Sequence, residues 1–104
     1  MKIYYSSKKD EEILNNERLI KKYHSNDFRH IINRLSELRA ANNLSEIPET
    51  PPPRRHKLSG NYKDCWGINY SKNYRFIIEP YGSFDINDIS SITEIKIIEL
   101  EDYH

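Results

Sequence analysis

The sequence closes on Asp102-Tyr103-His104, and an arginine, Arg75, stands upstream in a segment of alternating apolar residues. An imidazole exchanges protons near neutral pH, and a carboxylate close by can orient it. A guanidinium fork matches two oxygens of a phosphate. A tyrosine ring stacks on bases, or its hydroxyl donates to phosphate. One of each is what cleavage of RNA without a metal requires: a base for the ribose 2′-OH proton, a cation on the phosphate as charge grows, and an acid for the departing 5′-oxygen. His104, Asp102, Tyr103 and Arg75 are therefore the candidate catalytic group. A polar chain end is ordinarily frayed, so their meaning depends on the element that leads into them. No metal or cofactor is expected. The histidines His24, His30, His56 and His104 form no zinc-like cluster with Cys65, and three glycines make no phosphate-cradling loop.

The formal net charge of zero hides an uneven distribution. Residues 1–53 sum to +1, residues 54–75 to +5 and residues 76–104 to −6. Arg54, Arg55, His56, Lys57 and Lys72 lie in or bound the basic stretch, which has the character of an electrostatic footprint for phosphates. The competing reading is a solvated face that pairs with the acidic third of the chain. One cysteine allows no internal disulfide, which suits a reducing compartment. The N-terminal residues lack the apolar run of a signal peptide, and no stretch approaches a membrane span. A cytoplasmic protein is expected.

At 104 residues the chain is sized for one domain, residues 1–104, with any active site a shallow surface groove. Residues 2–6 are bulky and β-favouring. Residues 10–23 are helix-forming, and the Asn15-Asn16 pair allows a break into two helices. Phe28, Ile31, Ile32, Leu35 and Leu38 form one stripe of a third helix beginning near Ser25 or Asn26, with Arg29, Arg34, Glu37 and Arg39 opposite it. Residues 44–53 are a connector ending in three prolines, which stiffen it. Beyond it the pattern is β. Trp66, Ile68 and Tyr70 share one face, as do Tyr74, Phe76 and Ile78, with a hairpin loop at 71–73. Residues 80–83 read as a turn. Residues 93–100 are the last strand, whose adjacent Ile97 and Ile98 suggest a central strand buried on both faces. The order predicts α+β, with an N-terminal strand and helices packed on one face of a small, mainly antiparallel sheet.

Four short runs occur in order: His56-Lys57-Leu58-Ser59-Gly60, Cys65-Trp66-Gly67-Ile68, Asn73-Tyr74-Arg75-Phe76 and the final Asp102-Tyr103-His104. Over about residues 25–104 this resembles the HigB toxins of the RelE superfamily, whose usual run is His-x-Leu-x-Gly, Trp-Ser-Ile, Asn-Trp-Arg-Ile and a terminal Asp-Tyr-His. The resemblance implies a RelE-like fold and a ribosome-dependent mRNA endonuclease. It also implies a HigA-like helix-turn-helix antitoxin as partner, in a toxin–antitoxin heterotetramer. Arg75 matches the arginine on the scissile phosphate, Asp102, Tyr103 and His104 the C-terminal catalytic group, and His56 the histidine of the first run. Ser59 and Ser71 depart from it, standing where relatives often carry Lys and Arg. Lys57 and Lys72 lie close enough in sequence to supply that charge. Two alternatives stay open: a non-catalytic toxin of the same fold, as in the ParE branch, and a plain RNA- or partner-binding domain.

Overall fold

A computed structural model describes residues 1–103, so His104 lies outside the described residues. The strands are β1 (Lys2–Tyr5), β2 (His56–Lys57), β3 (Trp66–Asn69), β4 (Tyr74–Tyr81) and β5 (Glu94–Asp102). They form one sheet in the order β1-β5-β4-β3-β2, antiparallel except where β1 runs parallel to β5. Three helices, α1 (Lys8–Leu14), α2 (Glu17–Tyr23) and α3 (Phe28–Ala40), precede all strands but β1. The expected α+β architecture is the observed one. No helix among the described residues is long and apolar enough to cross a membrane.

The helices follow from local chemistry. Ser7 caps α1 by accepting from the Asp10 N–H, and the Asn16 side chain caps α2 by accepting from Arg18 and Leu19. The Asn pair thus divides residues 8–23 into two helices, and the second asparagine starts the next. Ile31, Leu35 and Leu38 of α3 are fully buried with Ile68, Phe76, Ile78, Ile95 and Ile97 of the sheet. Arg34 was expected on the solvent side of α3 but is buried. Its Nε donates to the Asn69 carbonyl at 2.7 Å and its Nη1 lies 3.3 Å from the Glu37 carboxylate. The end of β3 offers a backbone acceptor where a solvated arginine had been expected, and the ion pair with Glu37 offsets desolvation of the charge.

Two strands depart from the sequence reading. β4 continues through Pro80 to Tyr81, paired with Ile95 and Glu94, so the turn begins at Gly82, where φ is +75°. In β5, Ile97 is buried but Ile98 is only half-buried, so the strand is not enclosed on both faces. The register explains the adjacent isoleucines. Ile77 pairs with Glu99 and Ile78 with Ile97, which leaves Ile98 as the extra residue of a β-bulge. The end of β1 holds this irregular point. The Ser6 N–H donates to the Ile97 carbonyl at 3.0 Å, and the Ser6 hydroxyl to the Ile98 carbonyl at 2.9 Å.

Arg34→Ala should lower unfolding stability by about 2–4 kcal/mol, because it removes a buried charged donor and leaves its acceptors unpaired. Chemical denaturation of the two proteins measures this, and a change below 0.5 kcal/mol, the usual scale of surface substitutions, would mean the bond is not formed.

Candidate functional site

The bulge decides what faces outward. Before it, Ile95 and Ile97 point into the core. After it, Leu100 continues the core face, while Glu99 and Glu101 take the opposite face. On that face the ladder aligns His56 with Gly67, Asn69 with Arg75, Arg75 with Glu101 and Ile77 with Glu99. Residues distant in sequence become neighbours there through backbone pairing alone.

Arg75 is the hub. Its Nε donates to Glu101 Oε1 at 2.8 Å and its Nη2 meets the same oxygen at 2.6 Å. Its Nη1 lies 3.2 Å from His56 Nε2, and the Tyr103 ring packs 4.7 Å from its guanidinium carbon. The five N–H groups of a guanidinium therefore keep two uncommitted to partners among the described residues. Those two are enough to grip an incoming oxyanion in a fork.

The hydrogen bonds also define the state of His56. Its Nδ1 is 2.6 Å from the Arg54 carbonyl, which can only accept, so Nδ1 carries the proton. Nε2 then bears the lone pair that accepts from Arg75. Burial lowers the His56 pKa below its ordinary 6.5, opposed by the Arg54 carbonyl and reinforced by the charges of Arg54 and Arg75. The ring is a neutral imidazole at neutral pH with its basic nitrogen turned to the cation. Gly67 makes room for it, since a Cβ there would come within 2.8 and 2.9 Å of the ring and 3.3 Å of Arg75 Cδ. The glycine in the run Cys65-Trp66-Gly67-Ile68 leaves the space that the His56 ring occupies in this orientation.

A second carboxylate borders the cluster. The Tyr62 hydroxyl donates to Glu99 in a short hydrogen bond, and that bond is the main reason its pKa is pushed up to about 12. Tyr62 hangs on a turn over residues Gly60–Tyr62, opened by Gly60 at φ +65°. Glu99, Glu101 and Tyr62 were not singled out in the sequence. The legible signal was the acidic excess of the last strand, but without the bulge its parity assigns them to the wrong face.

The candidates of the sequence divide accordingly. Arg75, His56 and Tyr103 come together. Tyr103 is tied down, its N–H donating to the Asn73 carbonyl and its hydroxyl to the Lys72 carbonyl, both at 3.1 Å. Asp102 pairs with Tyr74, one residue along from the Arg75–Glu101 pair, and so takes the other face of the sheet. Its carboxylate raises the Tyr74 pKa, first through its charge and then through a hydrogen bond. Arg55 is buried, its Nε donating to the Ile47 carbonyl at 2.7 Å with Glu49 at 3.8 Å. Lys57 and Arg55 both lie over the Trp66 ring, at 5.4 and 5.3 Å, on the side away from His56. The structure does not bring Asp102, Arg55 or Lys57 to Arg75. Arg54 and Lys72 border a separate groove beside Tyr103. His104, the remaining catalytic candidate, lies outside the described residues.

No protein-family model and no curated protein matches the sequence. Solved structures do. A YoeB/ParE toxin from Agrobacterium tumefaciens superposes with a TM-score of 0.59 at 13% identity, over 100% of each chain. A chain of the YoeB–YefM complex from Staphylococcus aureus gives 0.55 at 13% identity, over 100% of this chain and 97% of that one. The protein has the fold of these toxins.

Two measurements probe the cluster. Gly67→Ala should change stability by only about 1 kcal/mol, since the ring it displaces can rotate, while the His56 pKa climbs toward 6.5 as its burial is relieved. Histidine NMR titration reads this, and an unmoved His56 would mean the ring does not pack on Gly67. The second concerns acid. With its folded pKa lowered, His56 adds stability that is complete above about 6.5 and lost as pH falls through the folded value, because the unfolded chain takes up the proton first. Unfolding of His56→Gln should lack this component of the pH dependence, and identical profiles for variant and wild type would contradict it.

Proposed function

We propose that this protein is the toxin of a toxin–antitoxin pair, an endoribonuclease that cuts mRNA on the ribosome. The observation that carries the reading is the contact between the neutral His56 imidazole and Arg75, whose guanidinium keeps two N–H groups uncommitted to partners among the described residues. The fold shared with YoeB/ParE toxins supports it, as do the four runs that resemble the HigB branch.

In this reading a phosphodiester docks on the uncommitted N–H groups of Arg75. The ribose 2′-OH takes the place of the Arg75 N–H at His56 Nε2, which removes its proton as the 2′-oxygen attacks phosphorus. Arg75 matches the charge that grows on the phosphoryl oxygens, and Glu101 holds the guanidinium in register. The bond from phosphorus to the 5′-oxygen breaks, and the leaving oxygen takes a proton from His104, the other imidazole of the resemblance. The products are a 2′,3′-cyclic phosphate and a 5′-hydroxyl. Tyr103 shields Arg75 from water on one side.

The resemblance supplies the setting: cytoplasm, translating ribosome, and a HigA-like helix-turn-helix antitoxin in a heterotetramer. A chain of this fold has been solved in the YoeB–YefM complex, which makes a partner-bound state a reasonable form for this one.

Expression without a partner should arrest growth, and primer extension should find new 5′ ends within translated messages. Cleavage by His56→Gln or His104→Gln should fall by about 10²–10⁴-fold, the usual contribution of one acid or base. Arg75→Ala should fall by at least about 10²-fold. Wild-type activity should fall on the acid side only below pH 6.5, as His56 takes up the proton that its lowered pKa holds off. Growth arrest that persists in His56→Gln and Arg75→Ala without cleaved messages would instead assign the chain to a non-catalytic, ParE-like mode.

A further inference from the structure

We infer that the groove between α3, the proline segment and the β3–β4 turn is a binding subsite for the single-stranded RNA nucleotide flanking the cleaved bond. The inference rests on the RNA-cleaving reading of the Arg75 cluster and says where the strand goes next.

The groove encloses about 690 Å³, within the range of small-ligand sites. Arg54 and Lys72 border it, and among the described residues no carboxylate does. A second cavity, of about 550 Å³, is lined by Asp64 and Glu79 as well as Lys57 and Lys63, so its wall carries no net positive charge to draw a polyanion. Tyr103 is the partition between the groove and the cluster. Its ring covers the Arg75 guanidinium at 4.7 Å, its hydroxyl bonds to the Lys72 carbonyl, and it lines the groove itself. A strand held by its phosphate at Arg75 therefore passes over Tyr103 directly into this space.

The wall at Asn69 gives the groove something to read. Asn69 is only 7% exposed. Its backbone is fixed from both sides, the N–H donating to the Pro53 carbonyl at 2.7 Å and the carbonyl accepting from buried Arg34 at 2.7 Å. Its side-chain Oδ1 is buried and has no hydrogen-bond partner among the described residues. Buried acceptors are nearly always satisfied, so an orphan on a residue that lines the groove points to a missing donor. After a small turn of the amide, a ring N–H or exocyclic amine of a nucleobase meets that need. Pro51 and Pro52 give the base an apolar platform, while Arg54 and Lys72 attract its phosphate. A free phosphate would use the cations alone and leave Asn69 unexplained.

The test uses the full chain and an uncleavable 2′-O-methyl RNA decamer. The decamer should shift the Asn69 side-chain amide resonances. Asn33→Trp, which fills the groove from the exposed side of α3, should weaken binding about tenfold or more, the scale of one lost base contact. On ribosome-bound message it should raise KM by a similar factor while kcat stays within about threefold. Asn69→Leu, if it folds, should change which base is favoured beside the cut. If Asn33→Trp binds the decamer as wild type does and the Asn69 amide is unmoved, the groove is not an RNA site, whether or not the protein cleaves. If the decamer binds in the groove but wild type cuts no message, the cleavage reading falls and the subsite stands. Displacement of the decamer from the groove by an acidic peptide with higher affinity would assign it to a protein partner and overturn the inference.

Discussion

One extra residue in the pairing of β4 with β5 governs the chemistry of the whole molecule. A strand alternates its side chains strictly, so Ile95, Ile97, Glu99 and Glu101 belong on one face unless the register breaks. The bulge at Ile98 breaks it. The isoleucines enter the core with Ile78 and Phe76, and the glutamates turn outward toward Arg75 and Tyr62. Without the bulge, either two carboxylates would sit in the apolar core or two isoleucines would replace the anchors of the site. The cost of burying unpaired carboxylates makes the regular alternative untenable. Bulges often re-aim side chains near active sites, and this one hands the last strand from a structural role to a chemical one.

The cluster on that face illustrates how a half-buried cation is kept available. Glu101 takes two of the N–H groups of Arg75 through a single oxygen, which orients the guanidinium without exhausting it. His56 takes another as a neutral acceptor, a role an imidazolium cannot play. Lowering the His56 pKa and preserving the Arg75 contact are thus one effect, because protonation would place two cations 3.2 Å apart. The arrangement is poised: the same nitrogen that accepts from Arg75 can take a proton from a substrate hydroxyl once a phosphate draws the guanidinium away.

The basic segment is less uniform than its charge suggests. Strand alternation sends His56 to the face of the site and Arg55 and Lys57 to the face of Trp66. Arg55 braces the connector through the Ile47 carbonyl, and Lys57 covers the indole, where long cationic side chains commonly spread over aromatic surface. Arg54 and Lys72 remain where the proline connector meets the β3–β4 turn. The connector, which as sequence was only a stiff linker, supplies a groove wall and the Pro53 carbonyl that holds Asn69, and Arg54 directly after it supplies the carbonyl that locks His56.

The helices, the hairpin and the α+β class were readable because they depend on local rules: the Asn caps, the apolar stripe of α3, the alternation around residues 71–73. Arg75 and the four short runs were readable because their residue types carry chemistry wherever they stand. The alignment of those residues was not. Which side of the sheet Asp102 or Glu101 uses depends on a bulge whose location is decided by pairing with β4 and by Ser6, just after β1 and more than 90 residues away from Ile98 in sequence. The burial of Arg34 likewise depends on a carbonyl delivered by another strand. By itself the sequence determined its elements and its inventory of reactive groups. Tertiary structure alone decided which of them meet, because strand register, and with it the face of every side chain, is set by pairing between distant segments.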